Sequence, residues 1–135
     1  MKIGIATDLG VVTSMVKERL KACRILILEA NHDPDMLING PYPWPLKQRI
    51  QSRTGHLSNA DSRELVSALK HEGLEHVVLA HLSETNNTPQ KALQEVGLAL
   101  DGCNTKLHVA TQEVCAEILQ IQGSKGPRGR GVEGG

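Results

Sequence analysis

The sequence predicts an α/β domain built on a largely parallel sheet, and three observations carry that prediction. Short continuous apolar runs recur at residues 2–7, 24–30, 76–81 and 106–111, each the length of a buried strand. Segments with helical apolar spacing lie between them, an alternation that builds right-handed crossovers with helices covering the sheet. The chain has 135 residues with one Tyr, one Trp and no Phe, so it forms about one domain with an aliphatic core.

The elements follow in order. "KIGIAT" (2–7) reads as a strand. "TSMVKERLKA" places Met15, Val16 and Leu20 on one helical face. "RILILEA" (24–30) is apolar with a charge at each end, as a buried strand requires. Residues 31–55, "NHDPDMLINGPYPWPLKQRIQSRTG", hold four of the six prolines and read as a long irregular stretch. Such a length inside a compact domain is usually functional or disordered. Within it, "PLKQRIQS" is expected to form a short helix begun at Pro45. "SNADSRELVSALKHEG" (58–73) is a marked helix. Ser58 and Asp61 form a capping box, Leu65, Val66 and Leu69 make the apolar stripe, Lys70 and His71 complement the negative end, and Gly73 stops it. "HVVLAH" (76–81) is a buried strand that delivers His81 into a loop of Ser, Thr and Asn. "TPQKALQEVGLALDG" (88–102) starts on Thr88 as N-cap and Pro89 at the first helical position, buries Leu93, Val96 and Leu100, and ends near Gly102. "KLHVAT" (106–111) is a strand, and "EVCAEILQI" (113–121) is expected to be one more. From Gly123 the tail is Gly-rich and weakly basic, so the reading is a domain over 1–122 and a disordered tail over 123–135.

Formal net charge is zero, so no global field recruits nucleic acid or a membrane. No apolar run is long enough to span a bilayer, and the first residues lack a signal-peptide layout. Cys23, Cys103 and Cys115 are odd in number and widely spaced. They read as reduced thiols of a cytoplasmic protein rather than a disulfide framework or a metal knuckle.

Polar residues concentrate where parallel sheets carry their sites, at the carboxyl ends of strands. The first strand leads to Asp8. The second ends at Glu29, followed by Asn31, His32 and Asp33, and the third ends at His81. Asp and His are ligands suited to Zn, Mn or Fe. His56 stands just before Ser58 and Asn59, where the free N–H groups of a helix start favour an anion. A phosphate there would meet an imidazole able to donate a proton. Lys47, Arg49 and Arg53, with Trp44 beside them, suit an anionic polymer that offers a base for stacking. Each feature has a plainer reading. Asp8 ahead of Gly10 suits a turn, Glu29 suits a solvated strand terminus, a His at a strand end is often structural, and three cations suit an exposed helix face. The shared rim favours the functional reading.

Four stretches carry a family resemblance: "TDLG" (7–10), "LEANHD" (28–33), "GHLSN" (55–59) and "LAHLSETNNTP" (79–89). They fall in the order seen in metallo-β-lactamase-fold hydrolases. They look most like the phosphodiesterase branch, which includes ribonuclease Z and small bacterial exonuclease-like hydrolases, and "GPYPWPLKQRIQSRTGHLSN" (40–59) resembles the second group. The resemblance spans roughly residues 1–115. It implies that Asp8 bridges two metal ions and that His81 is the last metal-binding histidine. It implies that His56 contacts the scissile phosphate and protonates the leaving group, with Glu29 orienting it. The family's His-x-His-x-Asp-His motif is absent from the sequence. The resemblance therefore implies the C-terminal half of an αβ/βα sandwich, truncated and inactive alone. The complete enzyme would use two divalent ions, Zn or Mn, on a nucleic-acid substrate. The uncovered sheet would need the missing N-terminal half or self-association. Two alternatives use the same residues: a non-catalytic nucleic-acid-binding or interaction module, and a thioester or lactam hydrolase on the same fold.

Overall fold

Hydrophobic β-branched runs do form the predicted strands. A computed structural model describes residues 2–7, 12–52 and 55–110. Strand β1 (Ile3–Ala6) is followed by helix α1 (Ser14–Leu20), β2 (Ile25–Glu29), α2 (Pro34–Asn39), α3 (Trp44–Gln51) and α4 (Asn59–Leu69). Then come β3 (His76–Ala80), α5 (Pro89–Gly97), a 3-10 turn (Leu98–Leu100) and β4 (Lys106–Val109). Asp8, Arg53, the strand expected at 113–121 and the tail at 123–135 lie outside the described residues.

The four strands pair in sequence order, β1-β2-β3-β4, and every pair is parallel. Register sets Ile3 beside Ile25, Ile25 beside His76 and His76 beside Lys106. Because side chains alternate across a strand, Ala6, Leu26, Leu28, Val77 and Leu79 point to one face. There they join Leu20 of α1, Leu65, Val66 and Leu69 of α4, and Ala92 and Val96 of α5 in one core. Each of the Leu and Val side chains contributes roughly 1.5–3 kcal/mol on burial. The other face carries a smaller apolar cluster, Ile25 and Val78 with Ile3 and Ile27 packed on it, while Ile5 is 61% exposed. A parallel sheet with its main helices on one side and an apolar opposite side is consistent with half of an α/β sandwich.

Several element bounds differ from expectation, each for a local reason. Residues 31–55 are mostly helical. Asp33 caps α2 by accepting from the Met36 amide at 3.0 Å, and Pro34 opens the helix. Trp44 begins α3 rather than preceding it, with Pro43 as the cap. Helix α4 stops at Leu69 because Lys70 turns extended. That turn lets Lys70 Nζ reach the Ala99 carbonyl at 3.0 Å and His71 Nε2 donate to the Cys23 carbonyl at 2.7 Å. Met15 is 66% exposed, so Val16 and Leu20 alone carry the inner face of α1. Leu93 is half-buried, and Ala92 takes the buried position. The core is aliphatic as expected. Among the described residues no helix is long and apolar enough to cross a membrane. Cys23 is buried and Cys103 exposed, both as free thiols, and burial raises the Cys23 pKa; Cys115 lies outside the described residues.

Candidate active site

The carboxyl ends of β2 and β3 bring together residues far apart in sequence. Glu29 closes β2 with a fully buried side chain. Its Oε2 lies 2.5 Å from Nδ1 of His56, whose side chain is 38% exposed. A carboxylate oxygen accepts, so Nδ1 donates. Proton exchange then falls to Nε2, the arrangement by which a carboxylate sets an imidazole's tautomer and orientation.

Gly55 explains how His56 reaches that carboxylate. The chain doubles back against the end of α3: Gly55 N donates to the Ser52 carbonyl at 2.9 Å and His56 N to the Ile50 carbonyl at 3.0 Å. A Cβ on Gly55 would stand 2.1 Å from the Ile50 oxygen, which no side chain tolerates. Beyond His56, Ser58 caps α4 by accepting from the Asp61 amide at 3.1 Å.

A buried amide frame fixes the rim. Asn87 Nδ2 donates to the Ala30 carbonyl and to Asn59 Oδ1, both at 2.9 Å, while Asn59 Nδ2 donates back to Asn87 Oδ1 at 2.8 Å. Asn59 backbone N donates to the His32 carbonyl at 2.8 Å, and Ser62 Oγ donates to the Glu29 carbonyl. The loop after β2, the start of α4 and the loop before α5 are thereby one hydrogen-bonded unit. Asn59 is fully buried in it, and Ser58 is nearly so.

His81 follows β3 with φ at 57°, in the left-handed region that is uncommon for a residue other than glycine. Asn31 Nδ2 donates to its carbonyl at 2.9 Å. Such backbone outliers cluster at functional sites. His32 is buried, with Nδ1 3.2 Å from Asn31 Oδ1. Burial lowers its pKa below the ordinary value and nearby His56 lowers it further, with Asp61 and Asp33 opposing. Among the described residues no group of three or more His, Cys, Asp or Glu is placed to hold a metal ion. With Asp8 outside them, the described residues do not make a metal cradle by themselves.

The cations separate. Lys47 Nζ donates to the Ile38 carbonyl at 2.6 Å, Arg49 is exposed, and Arg53 lies outside the described residues. Trp44 is 56% exposed. The aromatic beside His56 is Tyr42, which lines a groove of about 470 Å³ with Leu46 and Ile50 of α3 and with Ser83, Glu84 and Thr85. Sequence reasoning passed over Tyr42; its position between Pro41 and Pro43 was the available signal.

A hydrogen-bonded carboxylate and imidazole at the edge of a parallel sheet define a site suited to proton transfer. No protein-family model matches the chain. It is similar to curated proteins named exodeoxyribonuclease. It is 36% identical over 100 residues to exodeoxyribonuclease YycJ of Bacillus anthracis, covering 74% of this chain and 38% of that protein. It is 38% identical over 88 residues to exodeoxyribonuclease WalJ of Streptococcus pneumoniae strain D39, covering 65% of this chain and 33% of that protein. The same figures hold for WalJ of strain R6. The chain thus spans between a third and two fifths of the length of these relatives.

Proposed function

We propose that this chain supplies part of the active site of a nuclease-type hydrolase acting on DNA phosphodiesters, within the phosphodiesterase branch of the metallo-β-lactamase fold. The observation that carries this reading is the Glu29–His56 pair. His56 holds its Nδ1 proton on a buried carboxylate and lines an open groove. From there Nε2 of the protonated ring hydrogen-bonds the phosphate and, as water adds to phosphorus and the ester P–O bond breaks, gives its proton to the departing alkoxide, as general acid. Glu29 keeps the ring oriented and stabilises its protonated form. The names of the relatives support a phosphodiester of DNA as the substrate.

The reading includes two divalent ions, Zn or Mn, in the complete enzyme. Asp8 and His81 are proposed as two of the ligands, with the others supplied from outside this chain. On this reading the isolated chain is inactive. Its apolar sheet face, with Ile5 exposed, would be covered by another protein segment or a second copy.

The test is DNA hydrolysis by a complete protein carrying this sequence, compared with its His56→Asn form. Asn keeps a donor near the Nδ1 position and removes Nε2. Loss of turnover with unchanged fold is the expected result. Equal rates from the two proteins would end the proposal.

A further inference from the structure

We infer that the groove beside His56 is a nucleoside pocket, in which Tyr42 stacks on the base attached to the phosphate that His56 contacts. This rests on the nuclease reading above and names which part of the substrate sits where.

The groove has the size of a small-molecule site, about 470 Å³ against the usual range of roughly 300–1,000 Å³. One side is apolar: Tyr42 with Leu46 and Ile50, which sit one helical turn apart on α3. The other side is polar, from Ser83 and Thr85. Ser83 Oγ accepts from the Thr85 amide at 3.2 Å and the Asn86 amide at 3.0 Å, which turns its own proton outward as a donor. A flat apolar wall facing hydroxyl donors suits a base with its sugar.

Charge selects further. Among the described residues the groove is lined by one carboxylate, Glu84, and by no Lys or Arg. A second phosphate is disfavoured there, and a neutral nucleoside is not. Among the described lining residues His56 is the one whose side chain can carry a positive charge, so the nucleoside enters with its phosphate toward His56.

The aromatic is also held in place beforehand. Tyr42 lies between Pro41 and Pro43, and a residue before proline is confined to extended backbone. Gly40 lets this loop pass close to its neighbours: a Cβ there would stand 2.6 Å from the Met36 carbonyl and 2.8 Å from Asn86 Oδ1. Little loop entropy remains to be lost when a base stacks. Trp44, 56% exposed and not lining the groove, is the less suitable platform.

The experiment is an NMR titration of the 135-residue chain with three probes: deoxyadenosine, deoxyadenosine monophosphate and inorganic phosphate. Both deoxyadenosine and its monophosphate should shift the Tyr42 ring and the Leu46 and Ile50 methyls. Inorganic phosphate should shift His56 and leave Tyr42 unmoved. Tyr42→Ala should weaken nucleoside binding roughly tenfold or more, the range of base–aromatic stacking, and Tyr42→Phe should restore it. A monophosphate that moves His56 while Tyr42, Leu46 and Ile50 stay still would overturn the pocket and leave the hydrolase reading standing. Nucleoside binding at Tyr42 with no response of His56 to any phosphate would uphold the pocket and remove its link to hydrolysis. Equal binding by the wild type and Tyr42→Ala would overturn the stacking role.

Discussion

His56 meets a carboxylate, whereas His76, at the start of β3, meets another imidazole. His76 Nδ1 lies 3.0 Å from His108 Nε2, with ring centroids 5.2 Å apart, across the β3–β4 pair. One ring nitrogen must donate and the other accept, so that bond exists only while at least one ring is neutral. The carboxylate of Glu29 accepts from His56 whether the ring is neutral or charged. The first pair therefore holds in either charge state of its histidine, whereas the second is lost once both rings are charged. Exposure follows the same division: the His56 side chain is 38% exposed, and His76 is buried. A partner that accepts in both protonation states suits His56, and not His76, to the proposed proton transfer.

The largest expected effect breaks the comparison directly. In a complete enzyme, His56→Asn should lower turnover about 100- to 10,000-fold, the usual worth of a positioned acid or base. Its melting temperature should change little. His76→Asn should leave the rate alone and lower stability by roughly 1–3 kcal/mol through a lost buried hydrogen bond. Side-by-side kinetics and thermal melts measure both. If His76→Asn slowed turnover as much as His56→Asn, the two pairs would not differ in role.

The frame under the dyad comes next. Asn87→Ala orphans the Ala30 carbonyl and the Asn59 amide at once. It should cost roughly 2–4 kcal/mol in urea denaturation. The same substitution should shift the His56 ring signals and leave those of His108 unchanged, because the frame ends at the rim.

Much of this was legible in the sequence. The strands announced themselves by continuous aliphatic runs, and Ser58 and Thr88 cap the helices predicted for them. Glu29 and His56 were legible as separate candidates, but not their contact: they stand 27 positions apart with two helices between them, and only the return of the chain at Gly55 closes the gap. Helix α2 was missed because prolines dominated the reading of 31–55, although Asp33 followed by Pro34 is a helix start. The amide frame was invisible because a buried Asn reads like a loop Asn until its partners are known. Tyr42 was overlooked in favour of Trp44 for a similar reason: side-chain chemistry was readable, but which aromatic faced the groove depended on where α3 begins.

A smaller effect sharpens the protonation argument. Burial lowers the His76 pKa, and His108 lowers it further, with Glu75 opposing and Lys106 and Arg24 adding to the fall. His32 is lowered as well, first by burial. In the unfolded chain both return to about 6.5. Between that value and the lower folded ones, the unfolded state binds more protons, so stability rises with pH across the window. It is fully present above about pH 6.5 and is lost as acid is added. Thermal melts from pH 7.5 down to 5 should show this fall, and His76→Gln should reduce its slope without removing it, since His32 remains. An unchanged slope would mean that His76 is not neutral because it is buried.

The smallest expected effect asks whether the His56 side alone faces nucleic acid. Arg49 is exposed on α3, the helix that walls the groove beside His56. Lys106 is the matching exposed cation near His76, at the start of β4. Each phosphate contact contributes close to one unit to the slope of log affinity against log salt, about 0.9 on duplex DNA. Arg49→Gln in a complete enzyme should therefore flatten that slope by about one unit and weaken binding equally across DNA sequences, because a phosphate contact carries no sequence information. Lys106→Gln should do neither. Binding isotherms at several salt concentrations give both slopes. Hydrolysis of a small generic phosphodiester by Arg49→Gln should stay near the wild-type rate, since Glu29 and His56 are untouched. Equal losses on DNA and on the small substrate would mean that Arg49 holds α3 against the site, and the polymer-binding role of this helix would fall.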